Sequence, residues 1–288
     1  MRAILERKPA KGFTNITKPG CLVQFKLGEG GSIMQIQQIG IVGSGHLGTI
    51  LSQKFQGSGI PAIYVEANEP SPAKMSVLQD CQFIIEVVPE QLSEKIKVLK
   101  HIEEIVPSEM PIAITISSLS LAEIASSIRN PERVVGLHFF TQANRDKLVE
   151  VIRSLQCSDT PYLQVYELMK KIGQVPVRTK DVPGFLINRL FVPYMNHAIQ
   201  SYEDELTTKE DLDTAIELGL GYPMGPLKLA DVIGLDDYLF TANTLFQELY
   251  DTKYAPPSLV NRMVDAGYQG KKTQKGFYEY SSLEEVKE

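Results

Sequence analysis

Three glycines, Gly43, Gly45 and Gly48, stand at G-x-G-x-x-G spacing, with His46 and Leu47 inside the turn they make. They follow the apolar run Ile39, Ile41 and Val42 and precede a helical pattern reaching Phe55, so the order is strand, tight turn, helix. Such a turn bends sharply at its first glycine, admits a pyrophosphate at its second and packs helix on strand at its third. The free N–H groups at the helix start would then face the phosphates, where the dipole favours negative charge. A second strand, 60–65, ends at Glu66, eighteen residues after Gly48, close to where this fingerprint places the acid that binds a ribose diol. No Arg or Lys lies near Glu66 to accept a 2′-phosphate, so the pattern favours NAD over NADP. A solvated carboxylate at a strand end is the alternative for Glu66.

A second group could move a proton. His138 falls near the end of an expected strand, and Glu150 lies on the next one, where a carboxylate could orient the imidazole and stabilise its charged form. A histidine with an ordinary pKa near 6.5 suits a general base at neutral pH. Taken alone, a histidine at a strand end is more often a hydrogen-bonded structural residue. His46, His101 and His197 have no carboxylate partner in a recognisable arrangement.

The elements that would position these residues alternate. Strands are expected at 60–65, 83–88, 112–116, 134–139, 148–151 and 174–178. Helical stretches fall between them at 73–78, 90–106, 120–127 and 161–172. Alternation of this kind gives a mainly parallel sheet covered on both faces. Residues 179–184, TKDVPG, mark a boundary, after which helices are expected at 185–202, 209–219, 226–233, 236–250 and 257–266. Pro193 should kink the first of these.

Composition sets the outer limits. A chain of 288 residues accommodates two ordinary domains, and 43% hydrophobic with 22% charged residues is the balance of a globular protein. A net charge of −6, with lysines scattered among acids, leaves no footprint for nucleic acid or an anionic membrane. No apolar run reaches the roughly 20 residues that span a bilayer. Cys21, Cys81 and Cys157 show no metal-type spacing and are odd in number, which fits a reducing cytoplasmic compartment. Residues 1–33 lack periodicity and are expected to be a disordered extension. Gly28 to Ser32, GEGGS, can be encoded by a purine run resembling a ribosome-binding site, so Met34 is expected to be the true start.

The order and spacing of IIEVVPE (84–90), SSLSLAEIA (117–125), GLHFF (136–140), KLVEV (147–151), DVPGFLINRL (181–190), GLGYPMGP (219–226) and GKKTQKGFY (270–278) resemble the 3-hydroxyacyl-CoA dehydrogenase family, including bacterial 3-hydroxybutyryl-CoA dehydrogenases. The resemblance implies an α/β fold: an N-terminal Rossmann-type doubly wound sheet at 34–180, which binds NAD, followed by an all-helical C-terminal domain at 181–288 that often makes a homodimer. It implies hydride exchange between NAD and carbon 3 of a 3-hydroxyacyl thioester. It carries the family's catalytic pair onto His138 and Glu150, and other polar active-site positions onto Asn188 and Ser117. Glu90 and Lys95 match positions touching the nicotinamide-side ribose and phosphate, although either could be a plain charge on the solvated start of a helix.

Three departures limit the transfer. The family usually has a long helical hairpin after the second strand that contacts the CoA nucleotide, and only residues 67–81 are available here; an edge strand of the sheet would be missing too. The family's Asn-Thr before Ser-Ser-Leu becomes Thr115 and Ile116, putting a hydroxyl where an amide near the cofactor is usual. The apolar loop after His-Phe-Phe becomes TQANRD, with Arg145 and Asp146 at its mouth. The substrate is therefore expected to be a thioester on CoA or, given the missing hairpin, a small polar acyl group on an acyl carrier protein. A cofactor-binding protein without turnover is the competing reading; joint retention of His138, Glu150 and Asn188 argues against it.

Overall fold

The structure is a computed structural model that describes residues 23–26, 33–43, 45–67, 75–140 and 147–281. Its centre is a seven-stranded sheet. In chain order the strands are β3 (Ile39–Gly43), β4 (Ala62–Val65), β5 (Phe83–Val87), β6 (Ile112–Thr115), β7 (Val134–Phe139), β8 (Leu148–Arg153) and β9 (Val175–Lys180). In space they lie in the order β4-β3-β5-β6-β7-β8-β9, and every neighbouring pair is parallel except β7 with β8. The chain passes from β3 out to β4 and returns to β5 on the other side of β3, so the strand order reverses at the carboxyl ends of β3 and β5. An open α/β sheet binds ligands in that crevice. Among the described residues no strand lies beyond β4, in keeping with the short link to β5.

Strands buried on both faces need apolar side chains on both sides, and β3 and β5 are buried at every position. One face packs against α1 (His46–Gly57) and α4 (Asp159–Lys171), through Leu51, Phe55, Val165 and Leu168. The other packs against α2 (Leu92–Ile105) and α3 (Leu121–Ala125), through Leu99, Ile102, Leu121 and Ile124. Ser120 caps α3 by accepting the Glu123 N–H at 3.2 Å, as a serine three residues before a glutamate leads one to expect. Beyond β9 the chain is helical: α5 (Ile187–Glu203), α6 (Lys209–Leu220), α7 (Pro226–Ile233), α8 (Leu235–Leu249) and α9 (Ser258–Asp265). They enclose their own core of Val192, Met195, Leu227, Tyr238 and Leu245.

Several elements differ from the sequence expectation. Within 1–33, expected to lack order, β1 (Val23–Lys26) pairs antiparallel with β2 (Ile33–Ile36). VQFK alternates apolar and polar residues, and its register sets Val23 opposite Ile36 and Phe25 opposite Met34, the period-2 pattern of a hairpin. The rest of that stretch lies outside the described residues. So do 68–74, the first part of the helical stretch expected at 73–78; its second part is a 3₁₀ turn at Ser76–Asp80. The strand expected at 174–178 runs on to Lys180, into the expected boundary. Helix α5 starts only at Ile187, because Gly184 and Phe185 adopt positive φ of 73° and 49°. It then passes through Pro193 as one continuous helix.

Candidate active site

His138 and Glu150 are directly opposite partners in the antiparallel β7–β8 ladder. Opposed residues project from the same face with Cβ atoms about 5 Å apart, so a histidine and a glutamate can meet without strain. They do: Nδ1 of His138 lies 2.7 Å from Oε2 of Glu150. A carboxylate only accepts, so Nδ1 carries the hydrogen and the lone pair of Nε2 is free. Glu150 has no exposed surface, and its other oxygen, Oε1, accepts the N–H groups of Leu186 and Ile187, both at 2.9 Å. These donors open α5, where the helix dipole favours negative charge. Asn188 is the next residue, half-buried, and its side chain makes no hydrogen bond among the described residues. The amide stands at the junction of the two domains, immediately after the pair of N–H groups that grip Glu150.

Ser117 reaches the same edge by another route. Ile116 donates its N–H to the carbonyl of Leu137 at 2.9 Å, so the chain leaves β6 at Ser117 beside the point where β7 arrives at His138. The loop is held by Glu90, whose Oε1 accepts the N–H groups of Ser117, Ser118 and Leu119 at 2.8, 2.8 and 3.2 Å. Oε2 of Glu90 remains, partly exposed and 3.9 Å from the Lys95 ammonium.

Lys95 lies deeper than its place at a helix start suggests. It is only 1% exposed, not a charge on a solvated helix start, and its three donors go to Glu86 (3.2 Å to Oε2), the Val88 carbonyl (3.1 Å) and the Thr115 carbonyl (2.6 Å). These bonds tie the ends of β5 and β6 together beneath the crevice. Thr115 takes part through its main chain. Glu86, which sequence reasoning passed over, is fully buried. Burial pushes its carboxyl up, and the Lys95 ammonium, together with the Val88 N–H, pulls it back. The signal was available: a charged residue in the middle of FIIEVV needs a buried partner.

The glycine turn fits a dinucleotide. A Cβ on Gly43 would come 2.6 Å from the backbone carbon of Val87, and one on Gly48 would come 2.5 Å from the Tyr64 ring. Gly45 has φ of 111° and opens α1 without a side-chain cap, and no acidic residue occupies the first turn. The N–H groups at the head of the helix therefore face the crevice with no carboxylate of that turn competing for them. His46 is exposed there as the first residue of α1, and Leu47 is half-buried against the core. Glu66 is exposed one residue beyond β4. Among the described residues no cluster of His, Cys, Asp or Glu could hold a metal ion.

A glycine turn at the switch point of a Rossmann sheet, with a histidine–carboxylate pair on β7 and β8 of the same sheet, defines a two-domain dinucleotide-dependent oxidoreductase. Comparison with known proteins agrees. The model of the 3-hydroxyacyl-CoA dehydrogenase NAD binding domain matches residues 70–182, and that of the C-terminal domain of the same enzymes matches 184–280. A 3-hydroxybutyryl-CoA dehydrogenase of Clostridioides difficile is 43% identical over 204 residues, 71% of this chain and 73% of its own. Another, of Mycobacterium tuberculosis, is 32% identical over 282 residues, 85% of this chain and 99% of its own. The crystal structure of the (S)-3-hydroxybutyryl-CoA dehydrogenase of Ralstonia eutropha is 33% identical, covers 86% of this chain and 100% of its own, and superposes with a TM-score of 0.80. The chain belongs to the 3-hydroxyacyl-CoA dehydrogenase family. It is an NAD-dependent oxidoreductase acting on a CH–OH group.

Proposed function

We propose that this enzyme interconverts a short 3-hydroxyacyl thioester, most like 3-hydroxybutyryl-CoA, and its 3-oxoacyl form. The observation that carries the reading is the 2.7 Å contact between His138 and Glu150 on β7 and β8 of the sheet whose β3 ends in the glycine turn. NAD, held at Gly43, Gly45 and Gly48, supplies the hydride acceptor. His138 Nε2 takes the proton of the 3-hydroxyl as the carbon-bound hydrogen leaves as hydride, and Glu150 stabilises the imidazolium that results. Asn188 and Ser117 hold the reacting oxygen and the thioester from the two sides of the cleft. Glu90 offers its free oxygen to the ribose next to the nicotinamide.

Glu66 reads the other ribose. A carboxylate accepts both hydroxyls of the NAD ribose and repels a 2′-phosphate, and like-charge contact costs several kcal/mol. Catalytic efficiency with NAD should exceed that with NADP on the order of a hundredfold. Equal efficiency with the two cofactors, measured by steady-state kinetics, would remove Glu66 from this role.

A second reading of the substrate is favoured by one feature. β4 ends at Val65 and β5 begins at Phe83, leaving no length for a long helical hairpin to hold the CoA nucleotide. Losing remote contacts weakens turnover as well as affinity. The same acyl group should then be used better on carrier-protein phosphopantetheine than on CoA; Arg145, expected to meet its phosphate or a polar acyl substituent, lies outside the described residues. The test is a panel of 3-hydroxyacyl groups on CoA, pantetheine and carrier protein, followed by NADH absorbance. Clear preference for CoA ends the carrier reading and leaves the acyl-CoA reading in place.

We further infer a homodimer through the helical domain. Leu190, Leu218, Leu220 and Phe240 are 65, 82, 60 and 58% exposed, an unusual concentration of large apolar side chains in one domain. Light scattering at micromolar concentration should give twice the chain mass; a monomer would contradict the inference.

A further inference from the structure

Between β9 and α5 a short segment joins the nucleotide-binding domain to the helical domain and is fixed at three points. At its start, the Asp181 carboxylate accepts the N–H groups of Leu121 and Ala122, at 3.1 and 2.7 Å, holding the segment to the head of α3. At its end, the N–H groups of Leu186 and Ile187 grip Glu150. Between these anchors sits Phe185, with φ of 49°.

A bulky residue at positive φ is rare because its Cβ crowds the backbone, and it persists only where the surroundings impose it. Here they do. Phe185 is 3% exposed and belongs to the apolar core beneath the sheet, with Leu121 and Ile152, although it comes from the interdomain segment. Its ring centroid lies 5.7 Å from that of His138, and the Phe140 ring flanks the imidazole at 4.3 Å. Gly184, just before it, has φ of 73°, and a Cβ there would come 2.6 Å from Leu245 of α8. The two left-handed residues in succession turn the chain so that the phenyl ring points into the core while the following N–H groups point at Glu150. One carboxylate is thereby bonded to the base by one oxygen and to the helical domain by the other.

We propose that Phe185 is a positioning residue for the base: by docking in the nucleotide-binding domain it fixes the head of α5 on Glu150 and the imidazole of His138 against its ring, so that base geometry depends on how the helical domain is seated. The proposal rests on His138 being the base. Displacing a catalytic group by about 1 Å can cost a hundredfold in rate without touching the cofactor.

The test places Phe185→Ala and Phe185→Leu in the full-length enzyme and again in His138→Gln. Phe185→Ala should lower kcat about ten- to a hundredfold, with the dissociation constant for NAD changed less than about twofold. Phe185→Leu, which keeps most of the apolar volume, should recover much of the loss and covers the case in which the alanine variant does not fold. In the His138→Gln background the same changes should cost a clearly smaller fraction of the residual rate, because the part of the effect that acts through the imidazole is gone. The downfield proton resonance of the His138 Nδ1–H, assigned by its disappearance in His138→Gln, should shift or broaden in the Phe185 variants. A folded Phe185→Ala enzyme with unaltered kcat, an equal fractional loss in both backgrounds, or an unmoved resonance would overturn the role of Phe185 and leave the base standing. Near-normal turnover by His138→Gln alone would overturn the base and this proposal together.

Discussion

Replacing His138 by glutamine should abolish most turnover while NAD still binds. Glutamine retains a side chain of similar reach that can meet Glu150, so the β7–β8 pairing and the carboxylate's grip on α5 should survive. The lone pair that accepts the hydroxyl proton does not. Removing a general base ordinarily costs 10² to 10⁴ in rate, about 3 to 5 kcal/mol of transition-state stabilisation. The glycine turn lies on β3 and α1, and none of its atoms depends on the imidazole, so titration of NAD should give an unchanged dissociation constant. Steady-state turnover within a few-fold of the parent enzyme would take His138 out of the mechanism.

The second large effect concerns stability. Asp231, on α7, is 1% exposed and receives the N–H groups of Phe277 and Tyr278 and the hydroxyl of Tyr280, each at 2.9 Å. This carboxylate holds the KGFYEY tail against the helical core; any Cβ at Gly276 would overlap it. Burial pushes the carboxyl up and the Tyr278 and Phe277 N–H groups pull it back. Asp231→Asn removes the cost of burying a charge, which favours the variant. Against that, Oδ1 accepts the Phe277 N–H while Oδ2 accepts the Tyr278 N–H and the Tyr280 hydroxyl, so an amide N–H₂ at either place would face at least one donor. Charge-assisted bonds contribute about 1.5–3 kcal/mol each, and an unsatisfied buried donor costs about 1–3 kcal/mol. The loss prevails, and denaturant unfolding should show the variant less stable by about 2–4 kcal/mol. A change below about 0.5 kcal/mol would mean that the tail is held by packing alone.

The sequence made the chemistry legible where residue type and spacing act locally. The glycine turn, the acid after the second strand, the histidine at a strand end and the glutamate on the next strand could all be read because each belongs to one element or to neighbouring ones. That His138 and Glu150 face one another could not, since the register of two antiparallel strands is not written in either strand alone. That Lys95 is buried could not be read, because the helical stripe says nothing about the strands below; Glu86, a charge within an apolar strand, was its unseen partner. Phe185 looked like the first apolar residue of a helix. Its positive φ arises from competition between the core of one domain and the helix of the other, a tertiary cause without a local signature. The strand β1 within 1–33 was missed for the opposite reason: VQFK is too short for its alternation to stand out.

The central claim is that this chain transfers hydride from a 3-hydroxyacyl thioester to NAD with His138 as base. The most direct measurement is NADH formation from a short (S)-3-hydroxyacyl thioester, offered on CoA and on carrier protein, by the parent enzyme and by His138→Gln in parallel. NAD-dependent turnover by the parent on at least one of these thioesters, falling 10² to 10⁴ in the variant, is the predicted result. No NADH from any of them, by a parent enzyme shown by titration to bind NAD, would contradict it.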